Sequence, residues 1–199
     1  MVKLEKILGV IISSIMMLML LFLLPLGALL LTLSVLILIL LHSVFGFALF
    51  NKIPLKNLGK KEAYKGVSTM RIIGSIGAGF ALMTLVVGIL FVFLRWPFGY
   101  VNLTNGLVMA GIVLLISIIK IGTTKNDASF YKRMIIRVGI ISFIGFLLRF
   151  TPTETLFELK CHGCPESYIE AEKALMKDPE NPELIKKADE ESEKYYQQQ

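Results

Sequence analysis

The fold is decided by residues 7–50, which read ILGVIISSIMMLMLLFLLPLGALLLTLSVLILILLHSVFGFALF and contain no Lys, Arg, Asp or Glu. As one helix this stretch would be about 66 Å long at about 1.5 Å per residue. That length is roughly twice the hydrocarbon thickness of a bilayer, about 30 Å. The chain therefore has to fold back, and Pro25-Leu26-Gly27 marks the turn because proline stops a helix and glycine permits a tight reversal. The stretch predicts a transmembrane hairpin.

The composition of the whole chain agrees with an integral membrane protein. Of its 199 residues 55% are hydrophobic and 18% are charged, whereas soluble domains are about 25% charged. Residues 1–150 carry 15 Lys and Arg against three acids, and residues 151–199 carry six Lys against 12 acids. This division predicts two environments for the chain rather than one basic surface for nucleic acid, so we expect no nucleic-acid partner.

Apolar segments predict five transmembrane spans, at about residues 7–24, 27–50, 69–94, 104–121 and 134–150. The connections 51–67 and 120–133 are rich in Lys and Arg, and cytoplasmic loops are enriched in these residues. We therefore expect a multi-pass protein of a bacterial inner membrane with a cytoplasmic N-terminus and an extracytoplasmic tail. If the fifth and shortest segment only lies in the membrane interface, the tail is cytoplasmic instead.

The predicted fold class is all-α, a polytopic membrane helix bundle over residues 1–150 followed by an acidic helical tail over residues 151–199. Two tail helices are expected, at about 165–177 and 182–196, the second capped by Asn181. The chain also repeats itself, because residues 22–32 (FLLPLGALLLT) align with residues 94–104 (LRWPFGYVNLT). Two explanations fit this repeat. The same turn residues could have arisen independently at the ends of apolar helices, or a helix hairpin could have been duplicated.

One turn of the chain carries a family resemblance. Residues 93–99 (FLRWPFG), followed by an Asn-Leu-x-x-Gly pattern from Asn102 to Gly106, resemble the transmembrane hairpin of the motor subunits of type IX secretion and gliding motility. The resemblance covers about 35 of the 199 residues. It implies a similar hairpin. Members of that family are thought to use an intramembrane acidic residue for proton-driven motion, and because the predicted spans here contain no Asp or Glu, that activity is not carried over.

Small residues recur four positions apart within the third and fourth predicted spans. They are Gly74, Gly77, Ala78, Gly79, Ala81, Gly106 and Ala110. Such spacing lets helix backbones approach closely in a membrane. Two interpretations remain open at this stage: a bundle that packs on itself, or a docking face for another membrane subunit or a second copy of the chain.

The two cysteines of the chain, Cys161 and Cys164, both lie in the tail. An extracytoplasmic location would favour a disulfide between them. A Cys-x-x-Cys pair at the start of a helix is also typical of thiol–disulfide exchange. With His162 the pair offers three metal ligands, one fewer than a structural zinc ion requires. A structural disulfide or inert thiols, a redox site and a metal site all remain possible.

His42 is the ionisable side chain deepest within a predicted span, and such residues are functional candidates by default. The sequence predicts no acidic partner for it in the membrane, and a transport role would require His42 to line a hydrated cavity. No nucleotide-binding loop, metalloprotease motif or Ser-His-Asp set is present. We therefore expect no cofactor and a chain that is not an enzyme.

The leading hypothesis is a non-catalytic integral membrane protein, a structural or accessory subunit of a membrane complex. Its expected partners are the lipid bilayer and either other membrane subunits or further copies of itself. The alternative is a membrane thiol–disulfide or metal-relay protein that works through Cys161 and Cys164.

Overall fold

A computed structural model of the chain describes residues 1–21, 26–124, 127–161 and 163–197. Within these ranges the regular structure is helical, which confirms the predicted all-α class. The α-helices are α1 (Val2–Leu21), α2 (Gly27–Ser43), α3 (Gly46–Phe50), α4 (Thr69–Leu94), α5 (Gly99–Thr123), α6 (Ala128–Phe150), α7 (Thr153–Lys160), α8 (Glu166–Lys177) and α9 (Pro182–Gln197). Short 3-10 turns over Leu55–Asn57 and Lys61–Tyr64 lie in the first basic loop.

The chain divides into two compact units. The first comprises Met1–Ile15 with Leu26–Phe150, and the second comprises Met16–Pro25 with Thr151–Gln199. The division after Phe150 falls where the charge balance of the chain changes from basic to acidic. We describe each unit by itself.

Among the described helices, α1, α4 and α5 are long and apolar enough to cross a membrane. A fourth candidate is α6 taken together with Thr153–Leu159, while α2 is apolar but has only 17 residues. The second predicted span, 27–50, is interrupted after Ser43 and is divided between α2 and α3. The structure thus offers three to four candidate spans, and the count of five remains a prediction.

The centre of the first unit is α4, which packs against α2, α3, α5 and α6. Its inward side chains Ala78, Ala81, Leu82 and Leu85 are completely buried. Alternating small and large side chains let neighbouring backbones approach while the leucines fill the remaining space.

Glycines determine where the helices cross. A Cβ placed on Gly106 of α5 would lie 2.5 Å from the Cα of Leu85, and one placed on Gly88 of α4 would overlap the backbone of Leu103. Gly79 has the same role between α4 and α2, because a Cβ there would overlap the carbonyl oxygen of a residue of α2. At these crossings the backbones are in direct contact, so no larger residue fits without movement of a helix.

The small residues predicted to pack fall into two groups. Five of them are buried inside the bundle: Ala78, Gly79, Ala81, Gly106 and Ala110. Gly74 and Gly77 are different, because a methyl group added at either position would meet no heavy atom of another part of the described chain within 4 Å. These two glycines lie on an open face of α4.

The two segments of the repeat begin their helices in the same way. Leu26 and Phe98 occupy equivalent positions and have φ values of 59° and 61°, and each precedes the glycine at which a helix begins. The hydroxyls of Thr32 and Thr104 each donate to the carbonyl four residues earlier at 2.7 Å. A left-handed conformation costs a residue other than glycine roughly 1–2 kcal/mol. Independent use of the same turn residues and duplication of a hairpin both fit this shared geometry; Pro25 itself lies outside the described residues.

The predicted tail helices are present as α8 and α9. As predicted, Asn181 caps α9, because its Oδ1 accepts a hydrogen bond from the backbone N–H of Glu183 at 3.1 Å. The preceding helix α7 was not predicted from the sequence. It has only eight residues, so it presents too few turns for a periodic pattern to be recognised.

Candidate functional site

A polar cluster in the first unit joins α1, α2 and α6. Glu5 Oε1 lies 3.4 Å from His42 Nε2, and Glu5 Oε2 lies 3.2 Å from Nη2 of Arg137. The guanidinium of Arg137 also lies over the ring of Phe50, 5.4 Å from its centroid. The side chain of His42 is completely buried, and those of Glu5 and Arg137 are 14% and 18% exposed. One carboxylate therefore links side chains of three mainly apolar helices.

Glu5 is not among the site residues predicted from the sequence. The first span was predicted to begin at residue 7, which left Glu5 in the N-terminal flank, but α1 begins at Val2 and includes Glu5 in its first turn. The expectation that no acid lies within a candidate span and that His42 has no acidic partner is therefore wrong. A signal was available, because Glu5 is one of only three acids in residues 1–150 and a charge beside an apolar helix requires a partner.

The geometry of the cluster fits a structural link better than a transport site. A carboxylate and a guanidinium balance each other's charge where burial would otherwise be costly. His42 has no exposed surface and so does not line an open hydrated cavity, which the transport hypothesis required. Its Nδ1 is buried without a hydrogen-bond partner among the described residues.

A second polar link joins the beginning of α4 to the beginning of α6. Arg71 Nη1 lies 3.2 Å from Asp127 Oδ1, and the guanidinium lies over the ring of Phe130 at 4.6 Å. Next to it, Asn51 Nδ2 donates to Ser75 Oγ at 2.9 Å, and the Ser75 hydroxyl donates to the carbonyl of Arg71 at 2.6 Å. The polar side chains at this end of the bundle are thus used to hold helices together.

In the second unit, Cys161 and Cys164 form a disulfide with each other, with Cα atoms 5.2 Å apart. Cys161 is 7% exposed and belongs to a small core with Phe157, Tyr168 and Tyr195, and Cys164 packs against this core. The rings of Tyr168 and Tyr195 stack with centroids 5.2 Å apart. Thiol–disulfide exchange requires an attacking thiolate to reach a sulfur atom. Cys161 is shielded from such attack, whereas Cys164 is only half-buried; the packing of both against this core favours a structural disulfide.

The disulfide argues against a metal site at Cys161, His162 and Cys164. Both sulfurs are in the disulfide, so neither cysteine offers a thiolate to a metal. The third candidate ligand, His162, lies outside the described residues. In the ranges that the structure does describe, no three His, Cys, Asp or Glu side chains are placed to hold a metal ion.

Exposed ion pairs connect and support the tail helices. Lys173 of α8 pairs with Glu158 of α7, and this hydrogen bond raises the pKa of Lys173. On α9 the hydrogen bond between Lys194 and Glu191 lowers the pKa of Glu191 and raises that of Lys194. Since a lowered carboxyl pKa stabilises the fold only while the group is ionised, the contribution of Glu191 is lost as the pH falls into the acid range. Solvent screens both pairs, so each contributes little.

No known protein family, no curated protein and no solved structure matches this chain. The function has to be inferred from the contacts described above.

Proposed function

We propose that this chain is a multi-pass integral membrane protein that acts as a non-catalytic structural or accessory subunit. Residues 1–150 would form the membrane-embedded bundle and residues 151–199 an extracytoplasmic helical domain. The proposal rests on the observation that the potentially reactive side chains are buried in contacts that hold the fold together. His42 is sealed in an ion-pair cluster, and Cys161 is buried in a disulfide within a hydrophobic core.

The outward surface of the first unit supports a membrane location. On α6, Ile136, Ile140, Phe143 and Leu147 form one continuous stripe, and each is more than half exposed. Soluble proteins rarely leave large contiguous apolar surfaces uncovered, and such surfaces mark contacts with a membrane or with another protein. Lipid would cover this stripe.

The sidedness of the tail is tested by labelling spheroplasts with a membrane-impermeant maleimide. We expect Cys161 and Cys164 to be labelled in intact spheroplasts only after reduction, because an extracytoplasmic tail would carry the disulfide. The control is Lys61→Cys in a chain that lacks both native cysteines; residue 61 lies exposed in the first basic loop and should label only after permeabilisation. Labelling of the native cysteines only after permeabilisation would contradict the proposed topology.

The alternative function, thiol–disulfide exchange or metal relay through the cysteines, is tested by trapping. Cys164→Ser leaves Cys161 as a lone thiol, which in an exchange protein accumulates as a mixed disulfide with its partner. We expect no such adduct on non-reducing gels above the level of the variant that lacks both cysteines. Strong adduct formation by one single variant would favour the redox function.

Removal of the disulfide should instead destabilise the tail. For the short loop that Cys161 and Cys164 close, the chain-entropy relation gives about 2 kcal/mol. We therefore expect Cys161→Ser with Cys164→Ser to make the tail more sensitive to limited proteolysis while membrane abundance is unchanged. Reduced wild-type protein is the matched control and should show the same sensitivity. Unchanged protease resistance in both would contradict a structural role for the disulfide.

The resemblance of the turn between α4 and α5 to a motor-subunit hairpin stays a prediction. A motor role would require an acidic residue that exchanges protons during motion. Glu5, the acid within the candidate span α1, is instead paired with Arg137 and His42.

A further inference from the structure

An apolar groove runs along the outside of the first unit, bounded by α4, α5 and α6, with a volume of about 370 Å³. Gly74 and Gly77 form its wall on α4, and their missing side chains leave the space open. Met109, Ile112 and Ile116 form the opposite wall on α5. The volume and the mainly apolar lining are those of a small-ligand site.

One end of this groove carries a positive charge. Along α5 the lining extends from Met109 to Lys120, a distance of about 16 Å at 1.5 Å per residue. Ser117 also lines the groove, but its hydroxyl already donates to the carbonyl of Val113 at 2.7 Å. Lys120 forms no ion pair with any carboxylate that the structure describes. The groove therefore has an apolar body and one cationic end.

We propose that the groove binds one acyl chain of an anionic phospholipid, with the ammonium of Lys120 against the lipid phosphate. The inference rests on the proposed function, because the bilayer supplies the ligand. Lys120 begins the second basic loop, which we assign to the cytoplasmic surface, where anionic lipids attract Lys and Arg.

The charge in the groove argues against an apolar partner helix as the occupant. Lys120 is the one charged residue of the described lining, and acidic residues that could pair with its ammonium are rare within transmembrane helices. A single hydrocarbon chain is slender enough to lie along the groove, and its charged headgroup would meet Lys120. Charge complementarity then selects an anionic over a zwitterionic lipid.

The test is native mass spectrometry of the purified full-length protein in neutral detergent, titrated with phosphatidylglycerol or phosphatidylcholine. We expect preferential retention of phosphatidylglycerol and an about fivefold loss of it in Lys120→Gln, the equivalent of the roughly 1 kcal/mol that one lysine contributes at an anionic surface. Gly77→Leu should abolish binding by filling the groove. Lys132→Gln is the matched control, since Lys132 is exposed at the start of α6 and does not line the groove.

Equal retention of both lipids by the wild type, or equal losses in Lys120→Gln and Lys132→Gln, would overturn the lipid site. So would a Gly77→Leu variant that changes from dimer to monomer with unchanged lipid retention, since the groove would then be a contact between copies. An unchanged melting temperature of Gly77→Leu establishes that lost binding is not lost folding. Failure of the proposed function itself is distinguished by alkaline extraction, because a chain released from membranes by this treatment is not integral.

Discussion

Gly106→Ala is expected to lower the free energy of unfolding by about 3 kcal/mol, the upper end of the usual range for overpacking. The added methyl group would lie 2.5 Å from the Cα of Leu85, so a backbone rather than a flexible side chain has to move. Gly111→Ala is the matched control on the same helix, because a Cβ there meets nothing within 4 Å. In a helix alanine is favoured over glycine by roughly 0.5–1 kcal/mol, so the control should be neutral or slightly stabilising.

Both variants can be compared by reversible unfolding of the purified protein in mixed micelles, followed by far-ultraviolet circular dichroism. Similar midpoints for Gly106→Ala and Gly111→Ala would refute the close crossing of α4 and α5. By the same reasoning, substitutions at Gly79 and at Gly77 should have different effects on stability. Gly79→Leu would disrupt the bundle itself, so only Gly77→Leu reports on an outward docking face.

Glu5→Gln is expected to destabilise the first unit by about 3 kcal/mol. Breaking a buried ion pair by removing one partner costs about 3–5 kcal/mol because the other charge is left uncompensated. We take the lower value because Glu5 and Arg137 keep some exposure to solvent. Glu62→Gln is the control: this acid is exposed in the turn Lys61–Tyr64, and exposed substitutions usually change stability by less than about 0.5 kcal/mol.

The double variant Glu5→Gln with Arg137→Gln tests whether the stability lost in Glu5→Gln is due to breaking the ion pair. Because the second substitution removes the uncompensated charge, we expect the double variant to recover most of the stability lost in Glu5→Gln. Thermal unfolding in detergent measures the wild type, both single variants and the double variant under one condition. If the losses from the two single variants simply add, the charges do not interact and the cluster is not a structural link.

Local signals in the sequence account for much of the helical structure. The third predicted span coincides with α4, Thr69–Leu94, because the basic loop before it and the Arg95-Trp96-Pro97 sequence after it mark its ends. Asn181 marks the beginning of α9 for a similar local reason. The second span was predicted as continuous, yet it breaks after Ser43, where no proline or charge marks the interruption.

The faces of the helices could not be predicted in the same way. In a helix that is apolar on all sides there is no polar face to show which side is turned outward. Gly77 and Gly79 are two residues apart and both have small residues at the appropriate spacing, but one is open and the other touches a neighbouring backbone. The spacing identifies residues that permit close approach, and only the arrangement of helices shows which of them are used.

The all-α class, the alternation of apolar segments with basic loops, the acidic tail and the closely spaced cysteines follow from residues that lie close together in the chain. The contacts of Glu5 with His42 and Arg137, the choice of glycines that meet another helix and the burial of Cys161 are seen only in the folded protein. These contacts join residues far apart in the chain, and nothing in an apolar sequence pattern specifies which helix lies beside which.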